Sequence, residues 1–561
     1  MRKILSCCLA LMLTAALAVP AASAAYTDIL ANSALASEVQ KAVNYGLMNG
    51  YSADRFGYSD TMTRAQFITV LYRMMSSRWM LHVDDPTGQT FPDVPPDNSY
   101  YIPIEAAAQM GVVDHDQPFR PNAPVTRGEM AEMLVRALGL KSAADMVQRL
   151  WENRATAYSV ALPFADVSGD SAKYIFVAYD IGMTNGTSAT TFSPDATATR
   201  AQAAAMLVRI YEKLHQETDF CHGFYAISAY SQLTLAEEMD AVSAGWSRMT
   251  WDGKTALLST TSANRNEYYI PSGYDQVTTA LEAYDVPLNL SVYMDAVGGA
   301  AELLSSEEGQ WQAIEQIINE LTVSYKTIGK TPYSGVTIDF EGLRSSSRDD
   351  FTRFVERLGA ELRELADRPR SLYVCVSPIL SGNEAESYSG YDYGAIGAVA
   401  DKVILMAYDY DARDMSQFLG TEYYRTAATA PIDQVYLGLR TITEQMDPAK
   451  VVLGFSARSA AWEIDGEGKL LSGTPVYPSN DTVARRLAQA DTEFGWSDTY
   501  QQSYAVYTTE SGQRYFLWYQ NSDSLRAALD AARLQGVTGV SIWRLGNIPQ
   551  YAGYDWSGLL V

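Results

Sequence analysis

From about Asp219 onward the chain alternates short apolar runs with helix-length amphipathic stretches, and that alternation constrains the fold more than any other feature. The runs are HGFYAISAY, AVSAGWSRM, VPLNLSVYM, SGVTIDFE, SLYVCVSP, KVILMAYDY, KVVLGFSA and GVTGVSIWRL. Between them lie stretches such as WQAIEQIINELTVSYKTIG and RDDFTRFVERLGAELRELA. Strands separated by helices pair in parallel and need cover on both faces. Eight such units over about 340 residues predict an α/β fold, a closed (β/α)8 barrel, with a doubly wound open sheet as the alternative.

One of these runs carries two acids. In YSGVTIDFEGL, residues 333–343, alternate side chains point to opposite faces of a strand, so Gly335, Thr337, Asp339 and Glu341 share one face. Val336, Ile338 and Phe340 share the other, which suits a helical layer. The acids then point along the lumen toward the C-terminal mouth, where barrel enzymes hold their active sites. Positions two apart on a strand are roughly 6.5–7 Å apart, so Asp339 and Glu341 can act on one substrate group. Their alternative task is to end the strand and cap the next helix. Two other strand ends favour the first task. MAYDYD places Met406, Tyr408 and Tyr410 on one face, and SIWRLG brings Trp543 to the end of the last strand. An aromatic floor below hydroxyl and carboxylate groups suits a sugar ring, whose faces stack while its hydroxyls are hydrogen-bonded.

The first 215 residues are organised differently, as three copies of one pattern. GLMNGYSADRFGYSDTMTRAQF begins at Gly46, GVVDHDQPFRPNAPVTRGEM at Gly111 and GMTNGTSATTFSPDATATRAQA at Gly182. In each, a Phe (Phe56, Phe119, Phe192) stands eight residues before an Arg (Arg64, Arg127, Arg200). Each copy opens with an acidic motif, YTDI, FPDV or FADV, and its Asp (Asp28, Asp93, Asp166) precedes the Arg by 36, 34 and 34 positions. Thr63, Thr126 and Thr199, with Gln66, Glu129 and Gln202 three residues on, read as helix-capping boxes. Each copy is therefore a helix, a glycine-containing loop and a second helix. Capping explains the Thr and the Gln or Glu but places no demand on the Arg. A guanidinium beside a helix N-terminus suits a carboxylate ligand, with a merely structural Arg as the alternative. The stretch at 141–160 reads as a helical spacer.

The N-terminus, MRKILSCCLALMLTAALAVPAASAAYTD, has the layout of a secretory signal peptide, 1–24, with cleavage after Ala24 and a retained membrane anchor as the alternative. Losing Arg2 and Lys3 takes the formal charge from −24 to −26, which argues against nucleic acid or anionic membranes as partners. Cys221 and Cys375 alone would survive processing, too few for a disulfide framework in an exported chain of this size, so a bacterial envelope is indicated. His82, His115, His215 and His222 have no ligand spacing, which turns the chemistry away from histidine-based zinc and toward carboxylates.

The three copies resemble S-layer homology modules, at 26–78, 89–140 and 161–213. The resemblance implies an all-α domain that attaches to secondary cell-wall polysaccharide, with Arg64, Arg127, Arg200, Asp28, Asp93 and Asp166 as the binding positions. Residues 219–561 resemble glycoside hydrolase family 18. The family pattern Asp-Gly-x-Asp-x-Asp-x-Glu is read here with Ser334 and Thr337 at its first two Asp positions and with Gly335, Asp339 and Glu341 kept. MAYD at 406–409, VVLGFSARSAAW at 451–462 and Trp543 extend the match, and the wording is closest to spore-cortex-lytic N-acetylglucosaminidases. The resemblance implies a small α+β insertion at about 457–530. It also implies a substrate-assisted retaining mechanism, with Glu341 as acid, Asp339 orienting the 2-acetamido group and Tyr408 bonding its carbonyl. Trp543, Met406, Asp409 and Tyr225 would contact an N-acetylhexosamine-containing glycan, and no metal or cofactor would take part. The expectation is a secreted, wall-attached β-N-acetylglucosaminidase. A chitinase, an endoglycosidase on N-glycans and a non-catalytic glycan-binding protein stand as alternatives.

Overall fold

The computed structural model describes residues 26–30, 32–79, 88–153, 160–365, 368–378, 389–411, 413–423 and 426–560. The expected signal peptide, with Cys7 and Cys8, and His82 lie outside the described residues. Among the described residues no helix is long and apolar enough to cross a membrane. By packing, the chain forms two units. One comprises Met1–Ala137, Pro163–Ser171 and Met183–Tyr211, the other Leu138–Leu162, Ala172–Gly182 and Glu212–Val561.

The first unit is helical, and its three capping boxes form as read. The Thr63, Thr126 and Thr199 hydroxyls accept from the amides of Gln66, Glu129 and Gln202, whose side chains accept in return from the Thr amides. The structure gives the Arg of each copy the structural task that was the alternative reading, and gives its Asp one as well. Asp28 accepts from the amides of Phe56, Gly57 and Tyr58, Asp93 from Phe119 and Arg120, and Asp166 from Phe192 and Ser193. The carbonyl of each Phe is taken by the Arg of another copy. Arg64 Nε donates to Phe119 O at 2.8 Å, Arg127 to Phe192 O at 2.9 Å and Arg200 to Phe56 O at 3.0 Å. Each guanidinium also lies over that Phe ring, at 4.7–5.0 Å. The three copies thus close into a ring, each holding the loop of the next.

The second unit is built on thirteen strands: β1 Phe220–Tyr225, β2 Ala241–Trp251, β3 Ala256–Ser259, β4 Leu288–Met294, β5 Gly335–Phe340, β6 Ser371–Val376, β7 Lys402–Leu405, β8 Val451–Ser456, β9 Ala460–Ile464, β10 Glu493–Ser497, β11 Gln502–Thr508, β12 Arg514–Trp518 and β13 Gly539–Leu545. All eight apolar runs form strands of one parallel sheet, in the order β1-β13-β8-β7-β6-β5-β4-β2, and β1 also pairs with β2. That last pairing closes the sheet into a barrel and excludes the doubly wound alternative. β3 adds an antiparallel edge to β2. Strands β9–β12 form a separate antiparallel sheet, which with the helix Asn480–Leu487 makes up the α+β insertion. Its core packs Trp462, Phe516 and Trp518.

Two helices from the front of the chain belong to this second unit. Lys141–Glu152, read as a spacer, and Ala172–Asp180, the opening helix of the third copy, lie within it. Asp180 accepts from Arg440 Nε at 2.8 Å, from Gln535 Nε2 at 2.9 Å and from the Tyr436 hydroxyl. The Arg440 ion pair is almost dry, with side-chain exposures of 5% and 13%.

Candidate active site at the barrel mouth

β5 has the two faces expected of it. Val336, Ile338 and Phe340 are fully buried, Phe340 stacking on Phe354 of the helix Arg348–Arg363 at 5.3 Å. Thr337 and Asp339 face the lumen. The regular strand ends at Phe340, but the Glu341 amide still donates to Met294 O at 2.8 Å, which extends the ladder with β4 by one residue. Gly342 then takes φ +71°, a left-handed backbone that favours glycine and turns the chain out of the sheet. Glu341 is therefore held at the barrel mouth by a strand bond on one side and a turn on the other.

Burial holds the Asp339 carboxyl well above the usual carboxylate range, and the charge of Glu341 pushes it further up. Glu341 is raised too, first by burial and then by Asp295 and Asp409, with Arg413 opposing. Burial thus makes both carboxyls harder to ionise than exposed ones. Asp339 Oδ1 is buried and has no hydrogen-bond partner, while the Cys375 thiol of β6 donates to the same carboxyl.

Asp295 is the main residue that sequence reading missed. In the register of β4 and β5, Tyr293 faces Asp339 and Met294 faces Phe340, so the next step sets Asp295 beside Glu341. Arg248 donates to Asp295 at 3.1 Å, Gly298 N at 2.8 Å and the Tyr293 hydroxyl at 3.3 Å. Tyr293 stacks on Tyr268 at 4.5 Å, and burial raises both phenols, Tyr268 to about 12. The signal was available: VYMD ends its strand as TIDFE does, with an acid just past the last apolar residue.

Thr337 stands where the family pattern has a second Asp, and its hydroxyl joins a buried chain across the barrel floor. Ser541 Oγ lies 2.7 Å from His222 Nδ1, His222 Nε2 lies 2.7 Å from Ser243 Oγ, and Ser243 Oγ lies 2.6 Å from Thr337 Oγ1. Burial pushes the His222 imidazole down to about 3. The ring is therefore neutral near pH 7, with one nitrogen donating and the other accepting. A histidine that carries no metal-ligand spacing is here the centre of a hydroxyl relay.

MAYDYD behaves differently from the reading of it as a strand. β7 stops at Leu405, and Asp409 takes φ +60°, so strand alternation does not order Met406, Tyr408 and Tyr410. Tyr408 nonetheless reaches the site. Burial raises its phenol strongly, and the carboxylates of Asp409, Asp339 and Glu341 add to this. Met406 and Trp543 pack against the luminal cluster of Phe220, Phe224, Tyr373 and Cys375, Trp543 meeting Phe224 edge-on at 5.0 Å. Asp409 is raised by burial and lies 3.4 Å from Arg458, which binds Asp411 at 2.7 Å. Tyr225 is 1% exposed with its ring against Trp246, so it braces the wall and offers little surface to a ligand. Trp543, Asp409 and Tyr225 border a cavity of about 740 Å³, whose lining also includes Tyr268, Arg458 and Arg544.

In the first unit, Arg127 and Arg200 are 7% and 6% exposed and form no ion pair among the described residues, whereas Arg64 binds Glu129 at 2.6 Å. A pocket of about 320 Å³ lies beside Arg64, walled by Phe119, Arg120 and Glu129.

Two family models match the chain. Residues 289–547 match the model of glycosyl hydrolases family 18, and residues 25–68, 90–131 and 163–204 match the S-layer homology domain. Among curated proteins, the cortical fragment-lytic enzyme of Bacillus anthracis is 24% identical over 229 residues, 40% of this chain and 49% of that protein. Its namesake in Bacillus subtilis is 24% identical over 239 residues, 42% and 51% of the two chains. The chain thus spans about half the length of these relatives. The crystal structure of the Bacillus cereus spore cortex-lytic enzyme SleL aligns with a TM-score of 0.47 at 18% identity, over 62% of this chain and 74% of that one. The chain carries a glycosyl hydrolases family 18 domain, preceded in sequence by three S-layer homology domains.

Proposed function

We propose that this protein is a wall-attached β-N-acetylglucosaminidase that cleaves peptidoglycan or a related wall glycan by a substrate-assisted, retaining route. The observation that carries this reading is the pair of carboxyls, Asp339 and Glu341, both raised by burial at the mouth of a barrel. A glutamic acid that keeps its proton can give it to a leaving glycosidic oxygen. Family 18 chemistry differs from the two-carboxylate schemes in that the substrate supplies the nucleophile. The 2-acetamido oxygen attacks the anomeric carbon, the glycosidic bond breaks, and the leaving oxygen takes the Glu341 proton. Asp339 Oδ1, which has no partner, accepts from the acetamido N–H and faces the positive charge of the cyclic intermediate. Tyr408 donates to the acetamido carbonyl, and Trp543 and Met406 form the floor under the sugar. Water then opens the intermediate, and the Glu341 carboxylate takes a proton from it, which restores the acid.

The S-layer homology domains would attach the enzyme to a secondary cell-wall polysaccharide on the cell surface. Asp28, Asp93 and Asp166 are committed to backbone amides, and Arg64, Arg127 and Arg200 to loop carbonyls. In this reading they act mainly by shaping the loops that meet the polymer, and Arg64 is further neutralised by Glu129.

The test is digestion of purified peptidoglycan and of chitin oligosaccharides by the processed chain and its Glu341→Gln variant, with mass spectrometry of the products. Wild-type products with N-acetylglucosamine reducing ends, lost by at least about 100-fold in the variant, are expected. Absence of cleavage by folded wild-type protein overturns the reading.

A further inference from the structure

The cavity at the barrel mouth contains a cation that the proposed mechanism does not use. Two arginines line it, Arg458 and Arg544. Arg458 is committed: it binds Asp411 at 2.7 Å, lies 3.4 Å from Asp409 and stacks over Tyr477 at 4.3 Å. Arg544 is partly buried, and among the described residues its guanidinium forms no hydrogen bond or ion pair. Tyr268 and Glu267 also line the cavity and act on Arg544 through their charge, but Glu267 is exposed to water and forms no ion pair with it. Arg544 and Trp543 line the same cavity, so the charge faces the space above the aromatic floor.

A partly buried guanidinium that forms no hydrogen bond or ion pair among the described residues, on the wall of a sugar-sized cavity, is suited to a planar anion that it can grip with two parallel hydrogen bonds. A neutral chitin-like chain has no such group. In a peptidoglycan strand, each N-acetylglucosamine is flanked on both sides by a sugar bearing a lactyl ether. If N-acetylglucosamine sits on Trp543, a lactyl group stands at the adjoining position whichever way the strand runs. That group is a free carboxylate only where the stem peptide has been removed, because the peptide is joined to it as a neutral amide.

Building on the hydrolase reading above, we propose that Arg544 is a specificity residue that binds the free lactyl carboxylate of a peptide-free muramic acid next to the sugar on Trp543. The substrate class is then a glycan strand already stripped of its stem peptides. The reaction that supplies it is hydrolysis of the amide between the lactyl carboxyl and the first amino acid, which releases a carboxylate and an amine. Arg544 takes no part in bond breaking; it selects which strands enter.

The experiment compares three substrates on the processed full chain: peptidoglycan strands stripped by an amidase, the same strands with their peptides, and chitin oligosaccharides of similar length. The ratio of kcat/KM on stripped strands to that on chitin oligosaccharides is read for wild type, Arg544→Gln and Arg544→Lys. A charge-assisted, two-bond contact predicts that the ratio falls at least about tenfold in Arg544→Gln and falls less far in Arg544→Lys, which keeps the charge but not the planar fork. Wild type should also favour stripped strands over peptide-bearing ones, and less so as salt is raised. An unchanged ratio in Arg544→Gln, with cleavage intact, overturns this inference and leaves the hydrolase reading standing. Wild-type preference for peptide-bearing strands overturns it as well. Cleavage of none of the three by folded wild-type protein overturns both.

Discussion

Replacing His222 by Gln tests the hydroxyl relay under the active site. Gln keeps one donor and one acceptor in place of the neutral ring, but it cannot take up a proton. In the folded protein the imidazole is pushed by burial from 6.5 to about 3, so the folded state refuses a proton that the unfolded chain accepts. The stability this provides is complete above pH 6.5 and is lost as pH falls toward 3. At 1.36 kcal/mol per pH unit the full effect is about 5 kcal/mol, of which about 3 kcal/mol is lost by pH 4. At pH 7 the variant should be less stable by about 1–3 kcal/mol, from lost ring packing against Phe224 at 4.8 Å and imperfect bonds to Ser541 and Ser243. Between pH 7 and pH 4 that deficit should shrink by about 3 kcal/mol and vanish or reverse. The assay is guanidinium unfolding of both proteins across this pH range, followed by near-ultraviolet circular dichroism. Taking the difference between the two proteins cancels the other titrating groups they share, including Asp339 and Glu341. Parallel stability curves, with a constant deficit at every pH, would refute the assignment of His222 as a buried neutral ring.

Three further outcomes are expected. Asp295→Asn removes a negative charge beside Glu341, so the Glu341 carboxylate becomes easier to form and the alkaline limb of kcat/KM should move to lower pH; a limb that stays or moves up contradicts the role given to Asp295. Arg127→Met takes away the two bonds to the Phe192 and Asn185 carbonyls and the contact over the Phe192 ring, and should destabilise the repeat unit by about 3–5 kcal/mol in chemical denaturation, a loss under 1 kcal/mol arguing against the ring of clasps. Asp180→Ala removes the buried ion pair with Arg440, and should lower the stability of the barrel unit by about 3 kcal/mol although residue 180 lies in an S-layer homology repeat; unchanged barrel unfolding would show the pair to be dispensable.

The eight barrel strands and the front repeats were legible in the sequence because both rest on period. Side-chain alternation on a strand and self-similarity between copies are local properties, and so are the capping boxes at Thr63, Thr126 and Thr199, each complete within four residues. Asp339 and Glu341 were legible for the same reason, since their spacing sets their face. What sequence could not reveal involves partners far apart in the chain. His222 meets Ser541 across 319 positions, Asp180 meets Arg440 across 260, and Arg200 meets Phe56 across 144. Asp295 sits beside Glu341 only because two strands pair in one register, and Tyr408 reaches the site although its strand has already ended. Local pattern determined which elements form and which face each acid takes. Closure of the barrel decided which groups share a dry space, and it is that shared desolvation, absent from any single stretch of chain, that raises the two carboxyls and keeps His222 neutral.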